Sequence, residues 1–239
     1  MGIYTNVTHL KEVEEKLIKS NHDLEQFAYI ASHDLRAPLR GIDNLVSWIE
    51  EEDYQNLNSN SKDYFVKLKN QLNRMNNLIS GILDYSRLSN DKENNQEINL
   101  KQVLEDIIVD TKNSAVASIN VLKQMPVIHG CETQIKQVFS NLINNAIKHN
   151  DKSKCTIDIN FHDGKPYYLF EIKDNGPGID EQYSEKIFQL FQTLAPKDKV
   201  ECTGVGLTIV RRIIDLHGGK VWFKSKINEG TSFYFTLPK

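Results

Sequence analysis

Asn141-Leu142-Ile143-Asn144-Asn145-Ala146-Ile147-Lys148 closes a helical run that begins at Thr133. Three short segments follow it: Asp174-Asn175-Gly176-Pro177-Gly178, Thr203-Gly204-Val205-Gly206-Leu207 and Gly230-Thr231. Asn141 and Asn145 are four residues apart, so they share a helix face. Amide oxygens are hard donors suited to Mg2+. Lys148, three residues on, can reach a phosphate as a point charge. Asn144 lies off that face and reads as surface. Asp174 follows a strand-like run, and its carboxylate can accept a hydrogen bond from an adenine amino group. Gly176 and Gly178 let backbone approach the ring closely. Taken alone, Asn175-Gly176 is also an ordinary turn pair. Gly204 and Gly206 open a helical run and can present N–H groups to phosphate. Thr231 is a candidate helper at the base. Together these segments can hold a nucleotide, its metal and its phosphates.

Outward from them the chain mixes helical and extended patterns. Strand-like runs occupy Ser118–Leu122, Thr156–Phe161, Tyr167–Ile172, Lys220–Lys224 and Ser232–Leu237. Asp163-Gly164 is a hairpin signal between two of them. Leu100 to Val109, Thr133 to Lys148 and Val205 to His217 are helical, and Gly218-Gly219 is a C-terminal stop. Antiparallel-type strands with helices on one face predict an α/β two-layer sandwich of the α+β class. The polar run Asn90 to Asn99 before it is the best domain boundary in the chain.

The first third is helical. Leu10, Val13, Leu17, Ser20, Leu24, Phe27 and Ala31 recur in steps of three and four, the pattern of a coiled-coil seam. Leu39, Ile42, Leu45, Val46 and Ile49 carry the apolar face onward. Glu50 to Asn60 reads as a turn, and Phe65, Leu68, Leu72, Met75, Ile79 and Ile82 form a second heptad run. One helical hairpin cannot bury both stripes well. Two hairpins in a four-helix bundle can, which predicts a homodimer through residues 24–88. A monomeric hairpin packed on the rest of the chain is the alternative.

Composition narrows the class. Of 239 residues, 39% are hydrophobic and 26% charged, as in soluble globular proteins, and the net charge of -3 argues against nucleic acid or a membrane surface as general partners. No apolar stretch approaches the ~20 residues of a spanning helix. Met1-Gly2-Ile3-Tyr4-Thr5-Asn6 is neither a secretory signal nor a myristoylation site, because Asn6 stands where Ser or Thr is needed. Cys131, Cys155 and Cys202 make no metal pattern, so a reduced, cytoplasmic compartment is expected. That is compatible with the cytosolic part of a longer, membrane-tethered protein.

Ser32-His33-Asp34-Leu35-Arg36-Ala37-Pro38 holds a candidate phosphate acceptor. A neutral imidazole is a competent nucleophile at neutral pH. Asp34 could hold or take the ring proton, although adjacent helix residues point about 100° apart. Pro38 removes an N–H and crowds the carbonyl of Asp34, so the helix is expected to kink there.

Phe27 to Leu39 resembles the H-box of two-component sensor histidine kinases. Asn141 to Lys148 resembles their N-box, Asp174 to Gly178 the G1-box, Phe188 and Phe191 the F-box, and Thr203 to Leu207 the G2-box. The boxes stand in the family's order across residues 20 to 239. The resemblance implies a dimeric hairpin with His33 as phosphoacceptor and Asp34 as its catalytic partner, followed by a Bergerat-type ATP-binding sandwich. It makes Asn145 the Mg2+ ligand. The nucleotide would touch Asn141, Asn145, Lys148, Asp174, Gly176, Gly178, Phe188, Phe191, Thr203, Gly204, Gly206, Leu207 and Thr231. The expected domains are a signal-transmitting coiled-coil helix at 1–23, the dimerisation and phosphoacceptor hairpin at 24–89, a linker at 90–97 and the ATP-binding domain at 98–239. Residues 3–20, with Val7 to Glu12, look like the helix that often leaves a PAS sensor. The implied partners are a second copy, a response-regulator receiver and an upstream sensor.

Three positions depart from family habit or refine it. ATP-hydrolysing relatives of this fold carry glutamate where Asn141 stands, and an amide cannot act as the base that activates water. This disfavours a hydrolytic ATPase. Cys202 replaces a glycine before Thr203-Gly204, predicting a stiffer lid over Gln189 to Thr203. Ala37 stands where many relatives have a Thr or Asn that positions water for dephosphorylating the partner, predicting weak phosphatase activity. A non-catalytic dimeric scaffold is the rival reading, and acid-labile, base-stable label on His33 after incubation with ATP would discriminate the two.

Overall fold

The computed structural model describes residues 2–88, 95–112, 117–184, 186–192 and 204–239. These fall into two compact units, Met1–Arg87 and Leu88–Lys239. The first is a helical hairpin of α1 (Gly2–Glu52) and α2 (Ser59–Arg87), joined through a short 3-10 turn at Tyr54–Asn56. Asn58 starts α2: its side-chain oxygen accepts the Ser61 N–H at 2.9 Å. α1 continues through Pro38 rather than ending there.

The hairpin buries one half of each heptad stripe. Leu39 and Val46 meet Phe65, Leu72 and Ile79, with Tyr54 and Leu57 packed against that cluster. Their spacing of seven selects one line down each helix. The intervening members stay exposed: Ile42, Leu45 and Ile49 on α1, Leu68 and Met75 on α2. At the closed end the Tyr54 ring tilts against Phe65 with centroids 5.2 Å apart, and Lys69 pairs with Glu50 at 2.7 Å.

The second unit begins with β1 (Gln96–Asn99), α3 (Leu100–Lys112), β2 (Ala117–Val121) and β3 (Val127–Gly130). It continues with α4 (Glu132–Lys148), β4 (Cys155–Asp163), β5 (Tyr167–Asp174), α5 (Gly206–Leu216), β6 (Val221–Lys226) and β7 (Gly230–Pro238). The main sheet has the order β2-β4-β5-β7-β6. It is mixed, because β2 lies parallel to β4 while the other neighbours are antiparallel. A parallel pair needs a long crossover, and the β3–α4 segment supplies it. β1 and β3 form a separate antiparallel ribbon. Gln96 to Asn99 lies in the polar run read as linker, yet Ile98 is fully buried within it.

The helices cover one sheet face. α4 contributes Ile135, Val138, Phe139, Leu142 and Ile143, and α5 contributes Val210, Ile213 and Ile214, all fully buried. The strands answer with Ile157, Ile159, Phe170, Ile172 and Phe235. Phe170 and Phe235 are cross-strand partners. Their rings stack at 5.0 Å, and Phe139 stands edge-on to both at 5.9 and 5.4 Å. Such ring pairs add about 0.5–1.5 kcal/mol each beyond burial. α5 ends as expected: Gly218 adopts φ 70. Its N–H reaches the Asp215 carbonyl and that of Gly219 the Ile214 carbonyl.

Candidate functional site

Asp174 ends β5 on the helix-covered face, beside Ile157 of β4. Only 8% of it is exposed. Its Oδ1 accepts the N–H of Gly176 at 2.8 Å and of Thr231 at 3.2 Å. Burial pushes the carboxyl above its usual range, and those two N–H groups pull it partly back.

Two turns close tightly around this group. Gly230, at φ 105, has its α-carbon against the Asp174 carbonyl, where a Cβ would come within 2.0 Å. Gly178, at φ 78, lies against the Lys226 carbonyl, where a Cβ would come within 2.3 Å. Asn228 donates its N–H to the Pro177 carbonyl at 2.7 Å. Thus Gly176 to Ile179 and the β6–β7 turn are pressed together. Only glycine fits where the two backbones meet.

Asn175 is more than a turn residue. Its Oδ1 accepts from Asn150 Nδ2 at 2.8 Å and from the Thr156 N–H at 3.0 Å. Its Nδ2 donates to the Lys154 carbonyl at 2.9 Å. One amide therefore ties the loop after α4 to the start of β4. Below Asp174, the buried Cys155 thiol is raised first by burial and then by the Asp174 charge.

On α4, Asn141 and Asn145 are partly buried, while Asn144 and Lys148 are exposed. The Nδ2 of Asn141 is buried with no hydrogen-bond partner among the described residues. Its Oδ1 faces Gly206 at the start of α5, 3.5 Å from where a Cβ would stand. A buried amide without an acceptor is costly, by about 1–3 kcal/mol, and an anionic oxygen at this spot would satisfy it. Leu207 follows Gly206 in the first turn of α5 and is half-buried.

Phe188 and Phe191 do different things. Phe188 is buried, and its carbonyl accepts from Thr208 Oγ1 at 3.2 Å. Phe191 is exposed, at φ 64, and its N–H donates to the Gly204 carbonyl at 3.0 Å. Gly204 has φ 68, and a Cβ there would meet the Gln192 carbonyl at 2.6 Å. These bonds fasten the described start of the 189–203 segment to the head of α5. Cys202, Thr203 and the rest of that segment lie outside the described residues.

In the hairpin, His33 and Asp34 are both exposed, and His33 Nδ1 lies 3.3 Å from Asp34 Oδ1. Adjacent helix positions have thus met sideways. Ser32 is buried beside them, and Ala37 and Pro38 are exposed. Sequence reading took Asn175 only as a turn residue and missed Asn150. Their partners lie on distant segments, so no local spacing marks them.

Two family models match the chain: the His Kinase A (phospho-acceptor) domain over residues 23–91, and the histidine kinase-, DNA gyrase B- and HSP90-like ATPase over residues 130–239. The chain is 38% identical over 233 residues to cyanobacterial phytochrome B of Nostoc sp., covering 95% of this chain and 31% of that protein. It is 29% identical to the adaptive-response sensory kinase SasA of Crocosphaera subtropica, covering 100% of this chain and 65% of that protein. The chain therefore spans about a third of the phytochrome relative's length. Among solved structures, full-length ShkA in complex with AMPPNP matches with a TM-score of 0.66 at 20% identity, over 89% of this chain and 45% of that one. The catalytic domain of histidine kinase ThkA matches with a TM-score of 0.52 at 31% identity, over 61% of this chain and 95% of that one. The class that fold and site define is a phosphoacceptor hairpin joined to an ATP-binding sandwich. The chain belongs to the histidine kinases and carries their catalytic core.

Mg2+ suits the donor set on α4. Asn145 offers a half-buried amide oxygen, and Mg2+ in phosphotransfer sites takes only one or two protein oxygens besides phosphate. No helix among the described residues is long and apolar enough to cross a membrane.

Proposed function

We propose that this chain uses ATP to phosphorylate His33 and hands the phosphoryl group to an aspartate on a response-regulator receiver. The observation that carries the reading is the exposed His33–Asp34 pair at 3.3 Å. A carboxylate can only accept, so the neutral ring donates from Nδ1. Nε2 then bears the lone pair. It attacks the γ-phosphorus of ATP, an N–P bond forms, the bond to the β,γ-bridging oxygen breaks, and ADP leaves. The Nδ1 proton passes to Asp34 as ring charge develops.

At the donor site, Asp174 accepts the adenine amino hydrogen, with Gly176, Gly178 and Thr231 around the ring. Asn141, Lys148, Gly204 and Gly206 meet the phosphates, and Phe188 and Phe191 hold the lid's near end. Asn145 would hold Mg2+, which when bound would supply neutralisation of phosphate charge. Catalysis is mostly positioning. Asn141 cannot activate water, which keeps ATP intact until the histidine arrives.

Dimerisation through residues 24–88 is supported by the half-buried heptad stripes: Leu68, Met75, Ile42 and Leu45 want a second hairpin. An upstream sensor feeding α1 and a cytoplasmic site of action fit this reading. The test is labelled ATP with the whole chain, with and without chelator. Acid-labile, base-stable label that needs Mg2+ and vanishes in His33→Gln supports it. No label in the wild type overturns it.

A further inference from the structure

We propose that Ser225 is a positioning residue that sets the hydrogen-bond polarity of the base pocket and thereby its preference for a 6-amino over a 6-oxo purine; this rests on the adenine site proposed above. Ser225 lies on β6 opposite Thr231 on β7. Its hydroxyl joins three segments at once. It accepts the Ile179 N–H at 2.7 Å, donates to the Gly230 carbonyl at 2.9 Å, and lies 2.9 Å from Thr231 Oγ1.

A serine hydroxyl has one hydrogen and two lone pairs. The hydrogen goes to Gly230 and one lone pair to Ile179. The third contact must therefore be donated by Thr231. Once its hydrogen is turned to Ser225, Thr231 Oγ1 offers only lone pairs. Thr231 is 4% exposed, and its backbone N–H is held by Asp174. The charged Asp174 carboxylate likewise only accepts. At the proposed adenine site, Asp174 and Thr231 thus offer acceptors and no hydroxyl donor of their own. An amino group, or a water that donates, satisfies them. A 6-carbonyl oxygen meets lone pair against lone pair.

The same hydroxyl also fixes position. Ile179 follows the Gly176–Gly178 turn, and Gly230 abuts the Asp174 carbonyl. Removing Oγ frees the Ile179 N–H and lets the Thr231 hydroxyl rotate into the pocket as a donor.

The experiment measures binding of ADP, GDP and tripolyphosphate to the whole chain by calorimetry. Compared are the wild type, Ser225→Ala, Ser225→Thr, Thr231→Val and Ser225→Ala combined with Thr231→Val. Ser225→Ala is expected to weaken ADP about fivefold, the effect of one neutral hydrogen bond, and to narrow the ADP-to-GDP ratio. Tripolyphosphate binding should not move, which a general loosening of the fold would not spare. Ser225→Thr keeps the hydroxyl and should restore the ratio. Combined with Thr231→Val, Ser225→Ala should have no further effect on the ratio relative to Thr231→Val alone. A folded Ser225→Ala chain with the wild-type ADP-to-GDP ratio overturns the proposal. If that variant does not fold, Ser225→Cys takes its place, and an unchanged ratio there overturns it equally. Failure of the wild type to bind ADP at all would instead overturn the adenine site itself.

Discussion

At Asp174 burial disfavours the charged carboxylate, the N–H groups of Gly176 and Thr231 favour it, and burial is the larger effect. Between the ordinary and the raised value the folded chain keeps a proton that the unfolded chain has released. This group's contribution to stability is therefore present at low pH and falls as pH rises through that window. Nucleotide binding has the opposite sign, because the amino group needs the charged acceptor. ADP affinity should fall as pH is lowered through the raised value, and Asp174→Asn should flatten that dependence. Asp174→Asn should also weaken ADP roughly tenfold to a hundredfold, as expected for a charge-assisted bond, while bare triphosphate is spared. Equal losses for both ligands would make Asp174 a turn residue only. Ala37 poses a different question. Dephosphorylating a receiver needs a water held in line, and a methyl group offers it no hydrogen bond. Ala37→Thr should raise phosphatase activity by up to about a hundredfold and change autophosphorylation far less. The measurement is decay of a purified phospho-receiver with each variant and ADP. Brisk wild-type decay that ignores the substitution would mean another group holds the water.

Among the elements, the hairpin separates two kinds of apolar residue that look identical in sequence. Leu72 is buried within the hairpin, whereas Leu68, one helical turn before it, is 44% exposed. Leu72→Ala should lower thermal or denaturant stability by about 2–4 kcal/mol through transfer loss and cavity formation. Leu68→Glu should leave the hairpin's own helicity intact and shift sedimentation towards monomer. A Leu68→Glu chain that stays fully dimeric would move the interface off this stripe. The heptad pattern revealed both lines but not which was internal, because that depends on the angle at which two helices meet. The sheet shows the same limit. β4, β5, β6 and β7 were legible from alternation, since one face is buried and the other wet. β1 and β3 were not. Each is four residues long, and β1 is polar except for Ile98. The parallel pairing of β2 with β4 depends on a crossover that no local pattern encodes. At the site, Asp174 and its glycines were readable because they sit together in the chain. Ser225 was not, because its three partners come from β5's following turn and from β7.

For the whole molecule, the division into two compact units at Arg87 and Leu88 has a functional consequence. His33 belongs to the first unit and Asp174 to the second. The proposed acceptor and donor residues are therefore carried by separately built cores: Leu39, Val46, Phe65, Leu72 and Ile79 in one, and Phe139, Phe170 and Phe235 in the other. A substitution at an exposed helix position in the first should not propagate into the second, since distant sites without shared partners behave independently. His33→Gln removes the nucleophilic Nε2 and the hydrogen bond to Asp34, and it buries nothing new because the position is 71% exposed. It should abolish acid-labile labelling by ATP while leaving ADP affinity within about threefold of wild type and the melting temperature unmoved. Calorimetric ADP titration and a labelling assay on the same preparation measure both. Label that persists in His33→Gln would place the acceptor elsewhere. Label lost together with ADP binding would mean that the two units are coupled through the hairpin, so that the acceptor helix also shapes the nucleotide site.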